Sequence, residues 1–313
     1  MTPQETQISV IDPISPAFER VKTILFRPFD LGKWFVIGFC AWLACLGSGG
    51  GPSFNFPSGQ QRHGLSSGEV LDHTKDFLIE NLFWILPAAI IVTVVIIIIC
   101  LVITWLSSRG HFMFLHCVAL NKAEVKVPWH KFKKQANSFF LFRVVLALIG
   151  FGVVMLLVAM LAVISVLLFA GGGHSNLLAI IFRVLFKFCL ILPTVIVFTL
   201  IKKFTLDFVV PVMFLRGTTC TTAWREFWPL LIGNKGKFAL YILFQIVISL
   251  AVGIIVIAGV CITCCFLGCI LVIPYIGTVL LLPILVFDRS YTLLYLRQYG
   301  PSFDVFSIEP AVA

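Results

Sequence analysis

The chain has 313 residues, of which 60% are hydrophobic and only 12% are charged, and its mean hydropathy is +1.06. A water-soluble domain carries about a quarter charged residues and could not bury this much apolar surface, so lipid must form part of the solvent. The formal net charge of +9 does not indicate a nucleic-acid-binding protein, because the basic residues are spread over short loops and do not form one basic domain.

The first 31 residues precede the first apolar segment. They contain several prolines and charged residues, and they lack the apolar run of a cleavable signal peptide. We therefore expect segment 1–31 to lie in the cytoplasm, to contain an interfacial helix and to lead into a first span that acts as an uncleaved insertion signal.

Six apolar segments approach or exceed the roughly 20 residues that a helix needs to cross a bilayer, and they predict an all-α transmembrane bundle. The β-branched run at 90–99 is predicted to be helical too, because a strand in lipid would leave its amides unpaired. The uncharged block 238–287 would be about 75 Å long as one helix, so it must hold two helices with a turn near 264–268. The predicted spans are 32–46, 82–106, 140–170, 177–201, 238–263 and 267–287.

The distribution of Lys and Arg between the loops predicts the orientation. Nineteen of these residues lie in or beside the N-terminal segment, the second and fourth connections and the tail 288–313. The opposite side has only Arg62 and Lys75. Because cytoplasmic loops carry the excess of basic residues, both termini are predicted to be cytoplasmic.

Three similar segments precede the odd-numbered spans, at 17–26, 129–134 and 223–228. In each, aromatic residues alternate with basic residues at helical spacing, as an amphipathic helix in the headgroup layer requires. We interpret the chain as a threefold repeat of helical hairpins, each with an interfacial helix, about an axis along the membrane normal. The alternative is that any aromatic and basic membrane interface has this pattern.

The ten cysteines and the single basic pair inside a span are the residues that most resemble a site. Cys261, Cys264 and Cys265 would share one helix face close to Cys269, which suggests zinc or redox chemistry, but packing of small apolar side chains explains them better. Arg183 and Lys187 lie four residues apart in the fourth span. Either this segment lies closer to the interface, or the pair contacts a lipid phosphate or an anionic substrate.

The acidic residues lie at the edges of the predicted spans. Asp207, Glu226 and Asp288 each have a basic residue close by in the sequence, and local charge pairing explains them. The lack of an acid inside any predicted span counts against proton-coupled transport. No metal-ligand spacing, phosphate-binding glycine loop or nucleophile motif is present, so we predict neither a cofactor nor an enzyme.

Several motifs in the second half of the chain are familiar: FVVPVMF at 208–214, AWREFW at 223–228, and PYIGTVLLLP at 274–283 followed by FDRSYTLLYLRQYGP at 287–301. They resemble a family of uncharacterised bacterial six-span membrane proteins, similar in layout to the membrane domain of some glycerophosphoryl diester phosphodiesterases. The resemblance implies a bacterial cytoplasmic (inner) membrane location. The hydrolase domain that carries the phosphodiesterase chemistry is absent from this sequence, so no catalytic residue follows from the resemblance.

We expect a non-enzymatic membrane protein whose interfacial helices bind anionic lipids, with a protein partner or a homo-oligomer as open alternatives. The basic cluster of Lys131, Lys133 and Lys134 is the predicted contact with anionic headgroups. The alternative function is a transporter or lipid-handling protein for an anionic solute, with a path beside Arg183 and Lys187.

Changing Lys131, Lys133 and Lys134 together to Glu is expected to weaken binding to anionic lipid, because each basic residue near the surface contributes about 1 kcal/mol. Lipid binding by the full chain in nanodiscs of defined composition measures the effect. An unchanged preference for anionic over zwitterionic lipid would contradict the predicted role of this cluster.

Overall fold

The computed structural model describes residues 8–46, 82–170, 177–263 and 266–307; within them, the side chains of 82, 85, 164–170, 177–188, 266 and 272 are not described. The predicted all-α class is confirmed, and the described residues contain no strand. The first five helices are α1 (Ile14–Val21), α2 (Leu31–Cys45), α3 (Leu82–Leu120), α4 (Lys126–Lys131) and α5 (Lys133–Ala170). The next four are α6 (Leu177–Phe204), α7 (Val210–Arg216), α8 (Cys220–Gly233) and α9 (Lys235–Ile262). The last three are α10 (Phe266–Val272), α11 (Pro274–Leu280) and α12 (Leu282–Arg297).

Two π-helical turns extend these helices, Lys22–Phe26 after α1 and Thr205–Val209 between α6 and α7. Because the second turn joins α6 directly to α7, one helical segment continues to Arg216, well past the predicted end of the fourth span at 201. The αL conformation of Gly217, at φ 66°, ends it, a conformation that costs glycine no steric penalty.

Four helical segments are long and apolar enough to cross a membrane: Leu86–Leu120, Lys133–Val163, Cys189–Arg216 and Lys235–Ile262. A fifth candidate is the pair α11 and α12, which meet at an angle of 63°. The first predicted span corresponds to α2, which has only 15 residues. The described chain therefore has four or five helices that could span a bilayer, and the count of six and the threefold repeat stay predictions.

The predicted sixth span, 267–287, is divided among α10, α11 and α12. Pro274 begins α11 and Pro283 lies in the first turn of α12, positions at which the missing N–H of proline costs no helical hydrogen bond. The last helix does not end at residue 287, because α12 continues to Arg297 and so includes the first part of the predicted tail.

The two halves of the long helices differ sharply in how far protein buries their side chains. The 18-residue apolar window of Leu86–Leu120 has no buried residue, and the isoleucines at 96–99 are each about half exposed. Leaving a side chain of this size in water rather than burying it costs roughly 1.5–3 kcal/mol of stability, so these parts of the helices require an apolar solvent. Lipid satisfies this requirement without protein packing.

At the other end, the helices form one hydrophobic core, which we call the packed end. It consists of α1, α2, α7, α8 and α12 together with the adjacent ends of α3, α5, α6 and α9. Aromatic rings form its centre: the Phe208 ring lies 5.2 Å from those of Phe227 and Phe238 and 5.0 Å from that of Tyr241. The Tyr241 and Tyr295 rings are 4.7 Å apart. These contacts tie α8, α9 and α12 to the π-helical turn after α6.

Several basic residues that the sequence assigns only to topology hold the packed end together. Arg20 donates from Nη2 to the carbonyl oxygens of Ala119 and Val118, at 2.5 and 3.3 Å, and so satisfies the end of α3. Lys33 Nζ donates to Asn121 Oδ1 at 2.8 Å. The Arg109 guanidinium lies against the rings of both Trp105 and Trp129, 4.5 and 4.6 Å from their centroids.

Within the packed end, α2 and α3 approach each other closely. At Gly110 of α3, an added Cβ would meet the backbone of Leu43 and Ala44. Ser107 also donates to the Ala44 carbonyl at 2.9 Å, one helical turn away. A small residue is required here, as at close helix pairs in membranes generally.

We expect Gly110→Ala to lower the free energy of unfolding by about 2 kcal/mol, because α2 must move away from α3. Gly152→Ala is the control, since an added Cβ at Gly152 has nothing within 4 Å, and its effect is expected to be neutral or slightly stabilising. Thermal unfolding of the purified chain in detergent measures both. Equal stability of the two variants would contradict the tight α2–α3 contact.

Candidate functional site

Two cavities flank α6 where it enters the packed end, and neighbouring lysines line them. Lys202 lines a cavity of about 230 Å³ between α3, α5 and α6, which we call the basic cavity. Lys203 lines a cavity of about 730 Å³ between α6, α9 and α12, which we call the long cavity. The larger volume is within the range of small-molecule and cofactor sites.

The basic cavity combines two cations with apolar walls. Among the described residues that line it, Arg143 and Lys202 are the cations, Thr104 and Thr205 are the other polar residues, and none is a carboxylate. Both threonines already donate to backbone carbonyls of their own helices, at 2.7 and 2.6 Å, so neither hydroxyl has a proton left for a ligand. The apolar lining residues are Phe139, Phe142, Leu146, Ala147 and Leu206. An anionic group attached to an apolar body suits this arrangement.

Contacts to α3 and α5 position Arg143. Its Nη1 donates to Ser107 Oγ at 3.1 Å and to Ser108 Oγ at 3.5 Å. Its guanidinium carbon lies 5.5 Å from the centroid of the Phe139 ring, one helical turn earlier. These contacts hold the guanidinium beside the cavity, while Lys202 approaches from α6 as an exposed, flexible cation.

A buried polar network lies beside the long cavity. Lys203 Nζ and Asp207 Oδ2 form an ion pair at 3.0 Å, across the start of the π-helical turn. Tyr241 Oη donates to the same Asp207 oxygen at 3.0 Å and lies 3.1 Å from Thr292 Oγ1. The network therefore joins α6, α9 and α12 through one carboxylate.

Asp288 and Gln245 form the neighbouring part of this network. Gln245 Nε2 donates to Asp288 Oδ1. Arg289 donates from Nη1 to the Leu206 carbonyl at 2.8 Å, but its Nε and Nη2 are buried without a partner among the described residues. Gln245 Oε1 is likewise buried without a partner among the described residues. Buried polar atoms without partners are uncommon in proteins and point to a strained or functional region.

The positions of two acidic residues in the structure differ from those expected from the sequence. Asp207 and Asp288 were predicted to lie at span edges, yet both lie inside helical segments long enough to be membrane-crossing candidates. Local charge pairing describes Asp207 with Lys203 correctly. Glu226 instead pairs with Arg216 at 2.8 Å, and in the described chain Asp288 has Gln245, not a cation, as its side-chain partner.

None of the described residues that line either cavity belongs to the site predicted from the sequence. Lys131, Lys133 and Lys134 are exposed at the junction of α4 and α5, where Lys131 Nζ lies 5.7 Å from the Phe132 ring centroid. Arg183 and Lys187 lie in α6, but their side chains are outside the described part of the chain. The predicted roles of all five stay predictions.

The cysteines show one contact that the sequence did not indicate. The Sγ atoms of Cys40 and Cys117 are 3.9 Å apart in the packed end. Cys261 and Cys269 are exposed thiols, while Cys264 and Cys265 lie outside the described residues. Burial raises the pKa of Cys220 in α8 to about 12, so this thiol is unreactive near neutral pH. No metal-holding group of three His, Cys, Asp or Glu occurs in the parts of the chain that the structure covers.

A family model matches residues 8–296, nearly the whole chain. The chain belongs to the family of unknown function DUF7544. Neither a curated protein nor a solved structure matches it. Membership of an uncharacterised family agrees with the resemblance read from the sequence, whereas the likeness to the phosphodiesterase membrane domain stays a prediction.

The two neighbouring lysines allow a matched test of the network. We expect Lys203→Met to lower the free energy of unfolding by about 2–3 kcal/mol, because Asp207 is left as a buried charge without its cation. Lys202→Met removes the same charge one residue earlier and is expected to change stability by less than about 0.5 kcal/mol. Thermal unfolding in detergent compares them, and adding Asp207→Asn to Lys203→Met should recover part of the loss. Equal effects of the two lysine changes would contradict the pairing.

Proposed function

We propose that this chain is a non-enzymatic lipid-binding protein of the bacterial cytoplasmic membrane, with its packed end and both termini on the cytoplasmic side. In this proposal the basic cavity holds the phosphate of an anionic lipid. The observation that carries it is the cavity lined by Arg143 and Lys202, with apolar walls and no carboxylate among the lining residues that the structure describes.

The charge of the cavity favours an anionic headgroup. Phosphate accepts charge-assisted hydrogen bonds from both guanidinium and ammonium groups, which are about twice as strong as neutral ones. Arg143 is held in place from α3 and α5, so part of the ordering cost of binding is already met. The wall residues Phe142 and Leu146 offer the acyl chains an apolar surface.

The surface of the packed end supports a position in the headgroup layer. Phe26, Phe29 and Leu31 are each about half exposed or more, and Arg27 lies among them in the sequence. Trp228 and Ile232 of α8 are similarly exposed. Exposed aromatic residues next to basic residues are typical of a membrane–water interface. The excess of Lys and Arg in the same loops favours the cytoplasmic leaflet, where anionic lipids are exposed to them.

Lys202→Met is expected to weaken binding of an anionic lipid about fivefold, corresponding to about 1 kcal/mol for one basic residue near the surface. The measurement is native mass spectrometry of the full chain with phosphatidylglycerol and phosphatidylcholine of the same acyl chains. Lys235→Met is the control, since Lys235 is also exposed but lines neither cavity.

Arg143→Gln is expected to add to the loss, but Arg143 also contacts Ser107, so Lys202→Met is the cleaner test. The same phosphatidylglycerol affinity for the Lys202 and Lys235 variants would show that binding is a general effect of surface charge, and the assignment of the basic cavity would fail.

A further inference from the structure

We propose that the long cavity binds a second class of lipid, one whose headgroup carries a primary ammonium next to a phosphate. The proposal rests on the membrane location and lipid binding inferred above, but it concerns a different cavity with different chemistry. Its support is the distribution of polar and apolar residues along the cavity and the unpaired acceptor at its polar end.

The long cavity is amphipathic along its length. Lys203, Gln245 and Asp288 line the end that lies at the packed end of the helices. From there it extends along α6 to Val195, eight residues or about 12 Å away, and along α9 to Val252. This part of its wall is mostly aliphatic and continues into the exposed halves of both helices. A ligand with a small polar head and an apolar body matches this shape.

The polar end offers hydrogen-bond acceptors. Since a carboxylate only accepts, the amide nitrogen of Gln245 must face Asp288, as observed, and the amide oxygen is left over. Gln245 is only 8% exposed, lines the cavity and has no described partner for Oε1. In the described chain Asp288 has no cation within ion-pair distance. A carboxylate and an amide oxygen together require a ligand that donates hydrogen bonds and carries positive charge, such as a primary ammonium.

The overall charge of this end favours a zwitterion over a simple cation or anion. The two carboxylates, Asp207 and Asp288, are balanced by two cations, Lys203 and Arg289. A ligand with one net charge would leave this neutral, largely buried cluster unbalanced. The side chain of Lys203 is 32% exposed and lines the cavity beside the acceptors, where it can attract a phosphate next to the ammonium.

The basic cavity differs from the long cavity in the charges of its lining residues. Its described lining includes two cations and no acid, so it selects negative charge. Two cavities on opposite sides of α6 would therefore select different headgroups, through Lys202 on one side and Lys203 with Asp288 on the other.

The test is native mass spectrometry of the purified full-length chain with three lipids of identical acyl chains. Phosphatidylethanolamine is expected to bind about tenfold more tightly than phosphatidylcholine, because the quaternary nitrogen of phosphatidylcholine has no N–H to donate. It is also expected to bind at a site distinct from that of phosphatidylglycerol. Asp288→Asn should reduce this preference about tenfold. Equal retention of phosphatidylethanolamine and phosphatidylcholine by the wild-type chain would overturn the proposal.

A second variant keeps the test valid if Asp288→Asn does not fold. Ser249 lies on the exposed wall of the cavity, away from the hydrophobic core, so Ser249→Phe fills the cavity without changing its polar end. It should abolish the phosphatidylethanolamine preference, and an unchanged preference would overturn the proposal. Lys202→Met separates the two sites: it should lower phosphatidylglycerol binding alone, so failure of one assignment is distinguishable from failure of the other.

Free phosphoethanolamine distinguishes a lipid from a soluble headgroup. Because most of the cavity wall is aliphatic, millimolar phosphoethanolamine should leave the bound lipid in place. If free phosphoethanolamine displaced the bound lipid at the same concentration as a competing lipid does, the acyl chains would contribute nothing to binding. That result would overturn the lipid assignment.

Discussion

The structure depends on the surroundings that each part of a long helix requires: hydrocarbon along one part and packed protein along the other. In the described outer parts of α3, α5, α6 and α9, many apolar side chains are about half exposed or more, with little protein around them. In water this exposure would cost far more than the marginal stability of a folded domain, whereas in hydrocarbon it costs little. The helical backbone satisfies its own amides, which lipid cannot do. The other half of each helix packs against protein, and the polar chemistry is found there.

The boundary between these halves is where both cavities lie. Helices that pack tightly at one end and separate beyond it leave gaps whose walls are polar near the core and aliphatic farther out. Lys202 and Lys203 are consecutive on α6, so they point to different sides of the helix and enter different gaps. The same helix thus contributes one cation to a cavity whose described lining has no acid, and another to a cavity that Asp288 also lines. We infer that the pairing of cavities is a consequence of how α6 is inserted between α5 and α9.

The basic residues of the chain have two separate uses. Some stabilise the packed end directly, as Arg20 does at the end of α3 and Arg109 does against two tryptophan rings. Others, such as Lys131 and Lys235, remain exposed. A count of charges predicts orientation from both groups together, because orientation depends on which side the charges lie and not on what they contact. Only the first group contributes to the free energy of the folded core.

The sequence by itself determined the helical class and the existence of long apolar helices, because each depends on spacing within one segment. It places two lysines shortly before Asp207, but only the structure shows that Lys203 forms the ion pair. It did not determine that Asp288 would meet Gln245, that Tyr241 would reach Asp207, or that Arg143 would bond Ser107. Those contacts join residues 34 to 43 positions apart on different helices. They depend on the rotation and crossing angle of each helix, which packing across the whole core decides. The same is true of the helix ends: Asp207 lies in a π-helical turn, and Asp288 lies in a helix that continues past the predicted end of its span. Only the folded chain shows that Asp288 lines the long cavity and that Asp207 pairs with Lys203 beside it.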